Sequence, residues 1–260
     1  LPIRWSRQIP ESCEPSTVTV RLHPSGRWHI SIRFDDPTIK PLPVTDKAIG
    51  IDLGISSLVI TSDGDKVSNP KHFKKHYRRL RKAQKSLSRK QKGSKNREKA
   101  RIKVAKIHAQ ITDSRKDHLH KLTTQLVREN QTIVVENLAV KNMVKNPKLS
   151  QAISDVSWGE ITRQLAYKCR WYGRNYLEID RWFPSSKRCS NCGHIVEKMP
   201  LNVREWDCGT HHDRDINASK NILAAGPAVS VRVATIRPEQ SKSVKAGAEP
   251  RKGKKQKPKS

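Results

Sequence analysis

The chain has 260 residues, with 53 Lys or Arg against 24 Asp or Glu, a formal net charge of +29. That excess points to a polyanion as partner. No run approaches the roughly eighteen apolar residues of a spanning helix and no signal peptide opens the sequence, so nucleic acid is expected and a membrane is not.

The chain begins at Leu1, so a fragment of a longer protein is expected. Alternation over Thr17–Leu22, the turn residues Pro24, Ser25 and Gly26, and Trp28, Ile30, Ile32 and Phe34 on the return predict a β-hairpin. Two strands alone are marginal in water, so the hairpin should join a larger sheet. Pro37, Pro41 and Pro43 form a stiff linker into the run Ala48 to Gly54. There, apolar residues lead into a lone carboxylate, Asp52, and a second strand from Leu58 to Thr61 closes at Asp63-Gly64. A buried carboxylate needs an ionic partner. A metal ion is one answer, and a cap of the following turn is the other.

Residues 71 to 121 hold 20 Lys or Arg and 3 acids. Leu80 and Leu87, then Ile102, Ile107, Ile111, Leu119, Leu122 and Leu126, recur at helical spacing, with a break at Gly93-Ser94. Two antiparallel helices follow, with a thin apolar stripe inward and the basic faces toward nucleic acid. Thr132 to Val135 is a second apolar strand ending at a carboxylate, Glu136. A helix should start near Asp155, carry Trp158, Ile161, Leu165, Cys169 and Tyr172 on one face and stop at Gly173, before a strand from Asn175 to Ile179.

Three of the five cysteines cluster, which favours a reducing, cytoplasmic setting and a metal site over a disulfide framework. Cys189 and Cys192 form a Cys-x-x-Cys turn, and Cys208-Gly209-Thr210-His211 follows after fifteen residues. That spacing can close a tetrahedral Cys3His zinc site with His211 as fourth ligand, against the rival of a redox pair at Cys189 and Cys192. The run from His212 to Leu223 becomes helical, with Asp213 or Asp215 as its cap and the other free to project. The tail 226–260, with 10 basic and 2 acidic residues, is expected to be disordered.

Three separated carboxylates, Asp52, Glu136 and Asp215, with a polyanionic partner, fit two-metal phosphodiester hydrolysis. Mg²⁺ prefers oxygen ligands and keeps waters, so one or two carboxylates for each of two ions suffice.

The motifs Gly50-Ile51-Asp52-Leu53-Gly54, Val134-Val135-Glu136-Asn137-Leu138, Cys189-Ser190-Asn191-Cys192-Gly193 and His212-Asp213-Arg214-Asp215-Ile216-Asn217-Ala218 stand here in that order. So does Asp180-Arg181-Trp182-Phe183-Pro184-Ser185-Ser186-Lys187. Together they resemble the TnpB (OrfB) family of insertion sequences, relatives of the type V CRISPR effectors. The resemblance implies an α/β chain with a RuvC-like RNase H fold at 45–225, a basic helical arm at 71–129 and a zinc-ribbon module at 185–212. Residues 1–44 would be the remnant of an N-terminal wedge domain, making the chain N-terminally truncated. It implies Asp52, Glu136 and Asp215 as a Mg²⁺-binding catalytic triad, zinc at the cysteines, and DNA and a guide RNA as partners of an RNA-guided DNA endonuclease. An inactive nucleic-acid-binding remnant is the alternative. An actin-type ATPase shares the Gly50–Gly54 pattern but needs a second glycine-rich phosphate loop, which is not found here. The family's second knuckle has one more cysteine than Trp206-Asp207-Cys208-Gly209, so His211 is expected as a substitute and zinc affinity is expected to be reduced.

Overall fold

The computed structural model describes residues 3–6, 8–200 and 202–235. Its centre is a five-stranded sheet of β3 (Ala48–Asp52), β4 (Ser57–Thr61), β5 (Lys66–Ser68), β6 (Thr132–Glu136) and β7 (Asn175–Ile179). For these strands the spatial order is β5-β4-β3-β6-β7. The β3–β4 and β4–β5 pairs are antiparallel, whereas β3–β6 and β6–β7 are parallel. The hairpin signal at Asp63-Gly64 is the β4–β5 turn, where Gly64 has φ +99°, a backbone conformation that glycine adopts without strain.

Parallel neighbours need crossovers, and helices supply them. Between β5 and β6 run α1 (His72–Ser88) and α2 (Lys95–Glu129); between β6 and β7 run α3 (Val140–Met143), α4 (Ser150–Val156) and α5 (Trp158–Trp171). Strand alternation then sorts the core into two layers. Ile133 and Val135 pack with Leu119, Leu122 and Leu126 of α2 and Ile161 and Leu165 of α5. Val134, between them in sequence, packs on the other face with Ile222 of α6 (Arg214–Thr235). Both faces of these central strands are covered, which is why they read as unbroken apolar runs.

The basic segment forms the expected antiparallel arm. Ser94 caps α2 by accepting from the Arg97 amide at 3.1 Å, and Gly93 turns the chain with φ +81°. Arg97 also donates to the Leu87 and Lys90 carbonyls, closing the end of α1. Leu80, Ala83, Ile107 and Ile111 make the thin apolar seam.

Three expectations change. The helix expected from near Asp155 is two helices, broken at Ser157 with φ +55°. Asp155 is occupied instead in accepting from Arg115 and from the Phe73 amide at the start of α1. The hairpin, β1 (Thr17–Leu22) and β2 (Trp28–Arg33), forms a two-stranded sheet with no further strand among the described residues. It is held to the arm by an Arg27–Asp113 ion pair of 2.7 Å and leaves Val18, Val20, Leu22, Trp28 and Ile30 exposed. Finally, α6 continues through Pro227 to Thr235, so 226–235 is helical; the rest of the expected disordered tail lies outside the described residues. Gly226 continues the contact of α6 with the sheet, since a Cβ there would stand 2.6 Å from Val134. No helix among the described residues is long and apolar enough to cross a membrane.

Candidate metal centre and carboxylate site

Because β3 and β6 are parallel and in register, with Ile51 beside Val135, their terminal residues Asp52 and Glu136 emerge at one edge of the sheet. The carboxyl ends of parallel strands are where such folds build sites. Asp215 reaches that edge from α6. Asp213 is the cap: its Oδ1 accepts from the amides of Asp215 at 3.1 Å and Ile216 at 3.0 Å, which leaves Asp215 in the first turn, 3.4 Å from Arg204.

Electrostatics tie the three together. The Asp52 carboxyl is pushed up to about 7, first by burial and then by the negative charges of Glu136 and Asp215, against a weaker opposing hydrogen bond from the Leu53 amide. Burial also raises Glu136. Neighbouring carboxylates disfavour each other's ionisation in this way when they share a site. The oxygens of these three are not as tightly grouped as those of a single-ion site, because among the described residues only a Cys/His group has three ligand atoms within 4.8 Å of one another.

Several participants were not read from the sequence. Lys66 of β5 meets Asp213 at 2.5 Å. Burial alone would raise Asp213, yet Lys66 and the two capped amides outweigh it and hold it low. Beside Glu136 a cleft is lined by Asn137, Lys141, Asn142, Glu178 and Arg181. Arg181 donates to Asn137 Oδ1 at 2.8 Å, fixing the residue that follows Glu136. These partners lie 44 or more residues apart in sequence, and no local pattern announces them.

The cysteine cluster forms, with one change. Cys189 Sγ accepts from the Asn191 and Cys192 amides at 3.3 Å each, as the tight turn requires. Cys192 Sγ lies 3.7 Å from Cys208 Sγ, and Cys208 Sγ lies 3.7 Å from His212 Nε2. Cys189 Sγ is 3.0 Å from the same His212 nitrogen. Two thiolates on a tetrahedral zinc at about 2.3 Å stand about 3.8 Å apart, so Cys189, Cys208 and His212 are grouped closely enough for one zinc ion, with Cys192 beside Cys208. His211, expected as the fourth ligand, is not brought there. It faces solvent, 3.3 Å from Asp207 and 3.8 Å from Glu205. The reason is strand alternation: β8 (Glu205–Asp207) pairs with β9 (His211–Asp213), matching Trp206 to the buried His212 and Asp207 to the exposed His211. Two buried asparagines of α6 then bind this module to the helix bearing Asp215. Asn217 donates to the Arg188 carbonyl and accepts from the Ser190 amide, and Asn221 donates to the Ser185 carbonyl.

Comparison with known proteins agrees with this architecture. The family model OrfB_IS605, described as "Probable transposase", matches residues 29–147, and the Cas12f1-like TNB domain model matches residues 158–222. A Streptomyces pristinaespiralis protein named "Putative RNA-guided DNA endonuclease" is 58% identical over 94% of this chain and 61% of its own length. An Escherichia coli K12 relative, whose name adds InsQ, is 34% identical over 87% of the chain and 60% of its own length. A Cas12f1 chain solved with sgRNA and target DNA shares the fold with TM-score 0.58 and 18% identity, covering 81% of this chain and 45% of that one. The chain thus spans about three fifths of the length of these two curated relatives. With its ordered motifs and these matches, the chain is similar to the TnpB (OrfB) family over residues 29–147 and to the Cas12f1-like TNB domain over residues 158–222.

Proposed function

We propose that this chain carries the RuvC-like nuclease part of an RNA-guided DNA endonuclease of the TnpB type, with DNA as substrate and a guide RNA as the source of sequence recognition. The observation that carries the reading is the carboxylate set: Asp52 and Glu136 end neighbouring parallel strands, Asp215 stands in the first turn of α6, and after burial the charges of both neighbours raise Asp52. The sheet order supports an RNase H-type core at 45–225, with β4 the one strand running against the others. The names of the relatives support the substrate class.

Asp52, Glu136 and Asp215 would together hold Mg²⁺. Bound Mg²⁺ supplies an activated water and stabilises the leaving 3′-oxygen of an in-line displacement. With its carboxyl pushed up to about 7, Asp52 is partly protonated near neutrality, so occupying the site releases a proton. Arg204 and Lys66 hold Asp215 and Asp213 in place at the start of α6. The arm's basic faces would carry the phosphate backbone, so binding weakens steeply with salt. Cys189, Cys192, Cys208 and His212 would hold zinc, which contributes folding energy to the module that anchors α6. Residues 1–44 are read as part of a wedge domain.

The test is cleavage of labelled single-stranded DNA by the purified chain in Mg²⁺ or EDTA, alongside Asp52→Ala. Cleavage that needs Mg²⁺ and is lost in the variant is expected. Salt-sensitive binding with no cleavage by the parent chain would instead mark an inactive nucleic-acid-binding form.

A further inference from the structure

Trp182 is 85% exposed, the most exposed tryptophan among the described residues whose exposure stands out. Its backbone, by contrast, is clamped on both sides. Asp180 Oδ1 accepts from the Trp182 amide at 2.7 Å, and the Asp180 carbonyl accepts from Phe183. The next residue, Phe183, packs against the cluster of Val134, Ile179 and Ile222. The preceding residue, Arg181, lines the cleft beside Glu136 and is joined to Asn137 by two hydrogen bonds, at 2.8 and 3.3 Å. The indole therefore stands on a rigid turn whose position relative to Glu136 is fixed.

A large apolar ring held in water by a fixed backbone is unexplained by folding, since burying it would be favourable. The surroundings say what could cover it. Lys141 and Arg181 line the adjoining cleft together with Glu136 and Glu178, and the chain carries +29. Aromatic faces beside basic side chains are one way proteins hold unpaired strands: the cations track phosphates and the ring stacks on a base.

We propose that Trp182 is a stacking platform for an unpaired nucleobase of the strand that enters the carboxylate site. This rests on the nucleic-acid reading above and extends it to a positioning residue. A base stacked on Trp182 fixes the strand laterally, while Lys141 engages a phosphate and the strand runs on past Glu136. Because stacking is tolerant of base identity, the platform sets register without reading sequence.

The experiment is binding of a labelled oligothymidine to the full chain in EDTA, so that no strand is cut, over a range of salt. Trp182→Ala should weaken binding by about 5- to 150-fold, as expected for loss of one stacked base, and leave the salt slope unchanged. Trp182→Phe should keep most of the affinity. Lys141→Gln should lower the salt slope instead. On an oligonucleotide with abasic sites in place of its bases, Trp182→Ala and the parent should bind alike. Equal binding of oligothymidine by parent and Trp182→Ala would overturn the platform while leaving the nucleic-acid reading intact. A parent chain that binds no single strand would overturn both. A fall in the salt slope of Trp182→Ala would also overturn it, by showing that the turn only holds Arg181 against phosphate.

Discussion

The backbone of Ser219 in α6 fills the space that a side chain at Gly50 would need: a Cβ there would overlap the Ser219 carbonyl oxygen and lie 2.6 Å from the Leu223 amide nitrogen. Gly50 sits two residues before Asp52 and Ser219 four after Asp215, so this contact sets the separation of two candidate ligands. Gly50→Ala should push α6 off the sheet and destabilise the chain by about 1–3 kcal/mol, as overpacking does. Urea denaturation would measure that loss. Mg²⁺-dependent cleavage should fall further than the folded fraction does, because the ligand spacing changes in molecules that still fold.

Stability without divalent metal should fall as pH rises. The folded Asp52 carboxyl titrates near 7 against an ordinary 3.8, so between those values the folded state binds more protons than the unfolded one. The contribution of Asp52 is then full below about pH 4 and is lost as pH climbs through about 7, by up to about 4 kcal/mol. Asp52→Asn should flatten this slope, and saturating Mg²⁺ should offset it in the parent. Denaturant titrations at several pH values in EDTA would check both. A slope unchanged by Asp52→Asn would assign it to other groups.

Zinc content separates the two adjacent histidines. His212→Ala should lose bound zinc and lower the melting temperature, whereas His211→Ala should keep both, because only His212 Nε2 faces Cys189 and Cys208. His212→Cys should restore binding through a fourth thiolate. Metal analysis of the purified variants, with Co²⁺ absorption as a report on tetrahedral sulfur ligation, gives the answer without reference to activity.

The arm should contribute to affinity through charge alone. Arg78, Arg81, Lys85 and Arg89 line one groove on α1 and the turn after it. Replacing all four with Gln should lower the slope of log affinity against log salt by about 3 for single-stranded DNA, at about 0.7 per phosphate contact. Circular dichroism should show the arm still helical, since none of the four is among its buried residues.

Local patterns made much of this molecule legible. The apolar runs ending at Asp52 and Glu136, the helical stripe of the arm with its break at Gly93-Ser94, and the Cys189–Cys192 turn depend on neighbours in the chain, and each stands where expected. The alternative left open between Asp213 and Asp215 could also be posed from sequence, because a cap competes for amides two and three residues on. Which one caps was settled by the fold, where Lys66 of a distant strand also takes Asp213.

His211 shows where spacing stops being informative. The count Cys208-x2-His211 is a loop-like measure, yet the residues lie at a β-hairpin, and a period of two turns adjacent side chains to opposite faces. A helix through Pro227 was equally hidden, since proline reads as a stop when the packing of Gly226 on Val134 is unseen. The sequence by itself determined most of the elements, the charge and the candidate carboxylates and cysteines, because these follow from short-range periodicity and composition. Only the tertiary structure decided which histidine meets the cysteines, which aspartate stays free and how near α6 brings Asp215 to Asp52, because those depend on the register of β8 with β9 and the seating of one helix on one glycine.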